Sequence, residues 1–133
     1  KEKNIKYNDV TNFENQDGDD YPDVAYLICK NVLSNEENVG IAICGTGIGI
    51  SIACNKIKGI SAALVTSSNM AELAKKHNNA NVLCLGARLD YVKNFEIVKE
   101  IIDLFLETKF EGGRHIQRIN KITKLEESVK GGM

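Results

Sequence analysis

The 133-residue sequence contains no tryptophan, one proline and two histidines, and its charges nearly cancel. With 17 basic and 18 acidic side chains, it lacks the excess positive charge that binds nucleic acids or anionic membranes. No apolar run approaches the ~20 residues that cross a bilayer. The first four residues, Lys-Glu-Lys-Asn, lack the apolar stretch of a secretory signal. We therefore predict a cytoplasmic protein with neither nucleic acid nor membrane as a partner.

Cysteine pairs at metal-binding or redox spacing are also missing. Four cysteines are present, and no two of them form a C-x-x-C motif. A chain of this length can build an adequate core without a disulfide framework. We interpret all four as reduced thiols, so a cysteine with a chemical role must be recognised from its surroundings. They are Cys29, Cys44, Cys54 and Cys84.

Apolar residues make up 43% of the chain, which suffices for one core and one domain over residues 1–133. Short apolar runs without polar alternation indicate strands buried on both faces, as in a parallel sheet. They alternate with segments of helical spacing, which predicts a three-layer α/β/α, Rossmann-like, doubly wound fold. Strands are predicted at 4–10, 39–44, 59–65 and 81–85. Helices are predicted to open at Tyr21 and to cover 50–56, 67–77, 94–107 and 114–129.

The two C-terminal helices each carry an apolar stripe. In the helix at 94–107 we expect Phe95, Val98, Ile101, Ile102, Phe105 and Leu106 to face inward. The last helix carries Ile116, Ile119, Ile122 and Leu125 on one side. That stripe packs either on its own domain or on a partner subunit, and we favour the partner.

A glycine-rich segment follows the predicted strand at 39–44, with the sequence Cys44-Gly-Thr-Gly-Ile-Gly49. Ligands of open parallel sheets bind beyond the carboxyl ends of the strands, where glycines and a helix N-terminus expose N–H donors. The segment is a poor dinucleotide fingerprint, because no acidic residue ends the next strand. A thiol facing such donors could act as a base beside an oxyanion hole. Cys44 could equally be a small buried residue before a tight turn.

Two further clusters carry candidate polar groups. His77 and Asn78 lie between a predicted helix and a strand, where His77 could be a catalyst or only a helix-terminal cap. Arg114 and Arg118 are four residues apart and share one helix face after two glycines, an arrangement that suits a phosphate. The alternative for the arginines is a solvated basic turn.

Together these motifs resemble ribose-5-phosphate isomerase of type B, within the ribose/galactose-6-phosphate isomerase family. The resemblance extends over about residues 4–126. It rests on residues 43–53 with Asn55-Lys56, His77-Asn78 with Ala80-Asn81-Val82, Gly86-Ala87-Arg88, residues 111–115 with Arg118, and Asp20-Tyr21-Pro22.

The resemblance implies an aldose–ketose isomerase of the pentose phosphate pathway that interconverts ribose 5-phosphate and ribulose 5-phosphate through an enediolate. It implies no metal or organic cofactor, and a homodimer or dimer of dimers whose site is shared between subunits. The implied catalytic residues are Cys44 as base, Thr46 as proton-transfer assistant and His77 for ring opening. The implied substrate-binding residues are Gly45, Gly47, Ile48, Gly49, Asn78 and Tyr21, and the implied phosphate-binding residues are Arg88, Arg114 and Arg118.

One family feature has no counterpart in the sequence. The family's sheet has five strands, and the first strand, with its Asp-His motif and most of the first helix, is absent here. We therefore expect an N-terminally incomplete domain, and we predict weak or absent activity for this chain alone. The alternatives are an isomerase of galactose 6-phosphate or allose 6-phosphate, and a non-catalytic relative that binds phosphosugars or has a structural role.

Overall fold

The computed structural model describes residues 6–10 and 20–130, which form an α/β fold around one parallel sheet. Its three strands are Gly40–Cys44 (β1), Ala62–Leu64 (β2) and Val82–Gly86 (β3), in the order β1-β3-β2. The helices are Tyr21–Leu33 (α1), Ile48–Asn55 (α2), Ser68–Lys76 (α3), Phe95–Glu107 (α4) and Arg114–Lys130 (α5). A short 3₁₀ helix, Asp90–Lys93, precedes α4.

The central strand β3 divides the core into two layers, because successive side chains of a strand point to opposite faces. Val82 and Cys84 pack in an apolar cluster with residues of α1 and α2. Leu83 and Leu85 pack on the other face with residues of α3 and α4. All five β3 residues are buried. This confirms the predicted three-layer, doubly wound fold.

Side chains cap two helices at their N-termini. The Ser67 hydroxyl accepts a hydrogen bond from the backbone N–H of Met70 at 3.2 Å. The Asn94 side chain accepts from the N–H groups of Glu96 and Ile97, at 3.0 and 3.3 Å. Each cap satisfies donors that the first turn leaves without a helical acceptor.

Two expectations about packing are wrong. Residues 6–10 lie in neither a helix nor a strand, and residues 4 and 5 of the predicted strand lie outside the described residues. Lys6, Asn8 and Asp9 are exposed polar residues, so this segment has little apolar surface to bury in a sheet. Phe95, expected to face inward, is 67% exposed because it is the first residue of α4, and the buried positions of this helix begin only at Ile101.

The apolar stripe of α5 is exposed in this single chain. Ile116, Ile122 and Leu125 are all exposed, and Ile119 is half-buried. The stripe is therefore not covered by the described part of its own domain. Among the described residues, no helix combines the length and apolarity needed to cross a membrane.

We predict that Asn94→Ala lowers the free energy of unfolding by about 1 kcal/mol, because two N–H groups of α4 lose their acceptor. Urea unfolding followed by circular dichroism would measure the change. Asn69→Ala removes an exposed amide inside α3 and is the matched control, with an expected change within about 0.5 kcal/mol. Equal stability of the Asn94 variant and the unmodified chain would contradict the capping role.

Candidate active site

The thiol of Cys44 lies at the carboxyl end of β1 and faces the turn that follows it. The backbone N–H of Gly47 donates a hydrogen bond to Cys44 Sγ, with 3.2 Å between nitrogen and sulfur. The Thr46 hydroxyl accepts a hydrogen bond from the N–H of Ile48 at 3.1 Å. The turn thus places a backbone donor against the thiol at the end of the strand.

Helix α2 begins at Ile48, two residues earlier than the sequence predicted, and Gly47 is its N-cap. Its φ of 81° lies in the left-handed region, which glycine adopts without the strain of a side chain. A β-carbon here would also lie 2.5 Å from Leu64 Cδ1 and 3.0 Å from the carbonyl carbon of Leu85. The carbonyl of Gly47 then accepts from the N–H of Ser51 at 3.1 Å. The first N–H groups of α2 consequently face the region beside Cys44.

The end of β3 fixes the glycine loop through backbone contacts. The N–H groups of Ala87 and Arg88 donate to the carbonyls of Cys44 and Gly45, at 2.8 and 2.9 Å. A β-carbon on Gly86 would lie only 2.4 Å from the carbonyl oxygen of Thr46. Only glycine at position 86 permits this approach, so the position of the loop is set by main chain on both sides.

Two predicted ligand-binding side chains border the same loop. The Arg88 guanidinium carbon would lie 3.1 Å from a β-carbon on Gly45, so the positive charge lies directly over the loop. The Tyr21 ring at the start of α1 would be 2.6 Å from a β-carbon on Gly49. The structure therefore brings together Cys44, Thr46, the loop glycines, Ile48, Tyr21 and Arg88.

His77 belongs to a second cluster at the C-terminal end of α3. Its backbone N–H caps that helix by donating to the Leu73 carbonyl at 2.9 Å. Its ring stacks on that of His115, with 4.2 Å between centroids and 16° between planes. His115 Nε2 lies 2.9 Å from a carboxylate oxygen of Glu111, and the Glu111 N–H donates to the Lys76 carbonyl at 2.9 Å. His77 therefore lies at the end of α3 with its ring packed against a second histidine.

Arg114 and Arg118 lie in the first turns of α5, beside this second cluster. Both side chains are exposed. Gly112 and Gly113 precede them with φ values of 74° and 55°, which glycine adopts readily. The arginines are therefore available to an anion, and the exposed Asn78 follows His77 in the same region.

The two clusters lie at opposite edges of the sheet. Cys44 pairs with Gly86 at the end of β3, whereas His77 precedes Val82, the first residue of that strand. Four residues of strand span about 13 Å. Within one chain, the predicted base and the predicted ring-opening histidine are therefore too far apart to act on the same small sugar.

Comparison with known proteins relates this chain to sugar isomerases. Residues 1–122 match the model of a family described as Ribose/Galactose Isomerase. The chain belongs to this family. Ribose-5-phosphate isomerase B of Escherichia coli is 44% identical over 108 residues, which cover 81% of this chain and 70% of the relative.

Two solved structures share both the fold and the sequence. Ribose-5-phosphate isomerase B of Clostridium thermocellum matches with a TM-score of 0.77 and 44% identity, covering 84% of this chain and 73% of that chain. The Mycoplasma genitalium enzyme, solved with bound ribulose 5-phosphate, matches with a TM-score of 0.76 and 49% identity. That match covers 83% of this chain and 71% of the other. The family and fold inferred from the motifs are thereby confirmed.

Sequence reasoning assigned no role to three side chains that support these clusters. Glu111 and His115 build the environment of His77, and the Tyr91 hydroxyl accepts a hydrogen bond from the N–H of Gly86 at 3.1 Å. The i, i+4 spacing of Glu111 and His115 could have indicated their contact. The stacking on His77 carries no such signal, because it depends on how α3 and α5 meet.

We predict that alkylation of the folded protein with iodoacetamide modifies Cys44 alone. The other three thiols are 0% exposed. Burial raises the pKa of the Cys29 thiol to about 12, and a hydrogen bond to Cys54, with burial, raises the pKa of Cys84. The hydrogen bond with Cys84 lowers the pKa of Cys54 to about 7, so this thiol is protected only by its lack of exposed surface. Peptide mass spectrometry after brief labelling would locate the modification, and labelling in urea is the control in which all four cysteines react. Labelling of another cysteine before Cys44 would contradict this assignment.

Proposed function

We propose that this protein interconverts ribose 5-phosphate and ribulose 5-phosphate. The observation that carries the proposal is the position of the Cys44 thiol. It accepts a hydrogen bond from the Gly47 N–H within a glycine loop at the carboxyl edge of the sheet. Similar chains named ribose-5-phosphate isomerase B, one of them solved with ribulose 5-phosphate, support this choice of substrate.

In the proposed reaction, the Cys44 thiolate removes the proton from C2 of the open-chain aldose. The electron pair left behind forms the C1–C2 double bond, and the carbonyl oxygen on C1 gains negative charge. Return of the carbon-bound proton to C1, with transfer of the hydroxyl proton from O2 to O1, completes the ketose. The N–H groups of the loop stabilise the charged oxygen, and the Thr46 hydroxyl lies where it can assist transfer between the oxygens.

Three arginine side chains are proposed to bind the phosphate group of the substrate. Arg88 lies over the loop, while Arg114 and Arg118 lie near His77. Guanidinium groups bind phosphate oxygens in pairs and hold the substrate at a point remote from the reacting carbons. Orientation gained there lowers the barrier at C1 and C2.

The separation of the two clusters supports a site built by two copies of the chain. In this arrangement Cys44, Thr46 and Arg88 come from one subunit, and His77, Asn78, Arg114 and Arg118 come from the other. A homodimer supplies two such sites by symmetry. The exposed apolar stripe of α5 and the exposed Ile43, Ile48 and Ile52 around the glycine loop offer apolar surface for this contact.

The proposed substrate also suggests where the protein acts. A phosphorylated sugar is charged and is retained in the cytoplasm, which is the location we propose. The four cysteines are all free thiols, as expected in a reducing compartment.

We predict that Cys44→Ser lowers kcat by about a hundredfold or more and changes KM little, because a serine hydroxyl is a far weaker acid than a thiol. A coupled assay with ribose 5-phosphate would measure both constants relative to the unmodified chain. The matched control is Cys54→Ala, a cysteine that the mechanism does not use.

Galactose 6-phosphate and allose 6-phosphate, tested in the same assay, identify the preferred sugar. Unchanged turnover in Cys44→Ser would remove this thiol from the mechanism. Binding of ribose 5-phosphate without turnover in a chain completed with the family's first strand would favour a non-catalytic relative.

We predict that two inactive variants, Cys44→Ser and His77→Asn, regain activity when they are co-expressed. A mixed dimer has one site that carries both substitutions and one site that carries neither. Random pairing then restores about a quarter of the activity of the unmodified protein. Each variant alone, expressed at the same total level, is the control. Absence of recovery in mixed dimers isolated with two different affinity tags would show that each chain completes its own site.

A further inference from the structure

Two histidines and one carboxylate meet at the edge of the sheet remote from Cys44. The ligand atoms of His77, Glu111 and His115 all lie within 4.8 Å of one another. His115 is buried, His77 is half-buried and Glu111 is exposed. A set of two imidazoles and one carboxylate is a common ligand set for Zn²⁺ and related ions.

We propose that His77, Glu111 and His115 form an inhibitory binding site for a divalent transition metal, with Zn²⁺ as the expected ion. Metal binding itself does not depend on the isomerase activity. The inhibition rests on the function proposed above, because the metal would occupy a nitrogen of the histidine assigned to ring opening.

The geometry is close to that of a zinc site. In tetrahedral coordination with bonds of about 2.1 Å, neighbouring ligand atoms are about 3.4 Å apart. His115 Nε2 and a Glu111 oxygen are 2.9 Å apart, so this pair needs only a small adjustment. The two residues are four positions apart across the start of α5, and the backbone of Glu111 is fixed by its hydrogen bond to Lys76.

His77 must turn to complete the coordination. In the present arrangement its ring is nearly parallel to that of His115, so the in-plane lone pairs of the two rings do not converge on one point. Residue 77 ends α3 and is only half-buried, which leaves its ring room to rotate out of the stack. The protein would then supply three ligands, and a water molecule would take the fourth position.

Nearby positive charge limits the affinity. Lys76 and Arg114 adjoin the cluster along the chain and oppose the approach of a cation. We therefore expect a dissociation constant in the micromolar range, far weaker than that of a structural zinc site. Binding at this level would be reversible and would respond to the concentration of free metal.

Competition between the protein and a chromogenic chelator for Zn²⁺ at neutral pH tests the site directly. We expect one Zn²⁺ per chain, and we expect Glu111→Gln to weaken binding about tenfold or more because a neutral amide replaces the anionic ligand. Cys44→Ser and Glu96→Gln, an exposed carboxylate on α4, should bind Zn²⁺ like the unmodified chain. Unchanged binding in Glu111→Gln, or loss of binding in Cys44→Ser, would overturn the site.

Cobalt provides an independent readout of the ligands. Co²⁺ at this site should give the visible absorption of a four-coordinate ion without a sulfur-to-metal charge-transfer band. A charge-transfer band that disappears in Cys44→Ser would assign the metal to the thiol and overturn the proposal.

Activity measurements then test the inhibition. Zn²⁺ should inhibit ribose 5-phosphate isomerisation, EDTA should restore it, and Glu111→Gln should require about tenfold more Zn²⁺ for half inhibition. Full activity with Zn²⁺ bound at the cluster would overturn the inhibitory role. Failure of the isomerase proposal would appear separately, as absence of turnover in the metal-free protein whose zinc binding is intact.

Discussion

The burial of β3 between β1 and β2 is the constraint on which the candidate site depends. Its side chains alternate between the two apolar clusters, so a shift of one residue along the chain would misplace both layers of the core. The same register brings Gly86 opposite Cys44. Because position 86 has no side chain, the turn after β1 can fold back onto the end of β3 and place the Gly47 N–H against the thiol.

The parallel topology also determines what a single chain cannot do. A helix that connects parallel strands returns to the edge from which the preceding strand began. Cys44 ends a strand, and His77 ends the helix that leads back to the start of β3. Residues that end a strand and residues that end a connecting helix therefore lie at opposite edges of the sheet, however their side chains are arranged. In the proposed two-copy site, a second chain brings the remote cluster of one subunit to the loop of the other.

Residues with a strong local signal were the ones that the sequence predicted well. The run at 39–44 has no polar alternation, which identified a strand, and glycines with a preceding thiol identified the loop at its end. The expected burial of both faces of this strand is wrong, since Ile43 is 54% exposed where β1 ends the strand order. The predictions that failed, and the contact that was missed, depend on tertiary packing that no local pattern encodes. Phe95 shares the helical spacing of the inward residues, but spacing does not show at which residue of a helix burial begins. The stack of His77 on His115 arises from the meeting of α3 and α5, 38 residues apart in sequence, and no local pattern encodes it.

The two halves of the proposed site differ in how firmly they are held, and this difference fits their roles. The Cys44 loop is fixed by main-chain hydrogen bonds and by glycines that no larger residue could replace without strain. Proton transfer between adjacent carbons requires such a fixed base, since small displacements of the reacting atoms are costly. His77 is held by its own helix end and one stacked ring, so its side chain can turn while the backbone stays in place. A ring-opening group must follow a substrate that changes from a closed to an extended shape, and the same freedom of rotation is what would allow a metal ion to capture it.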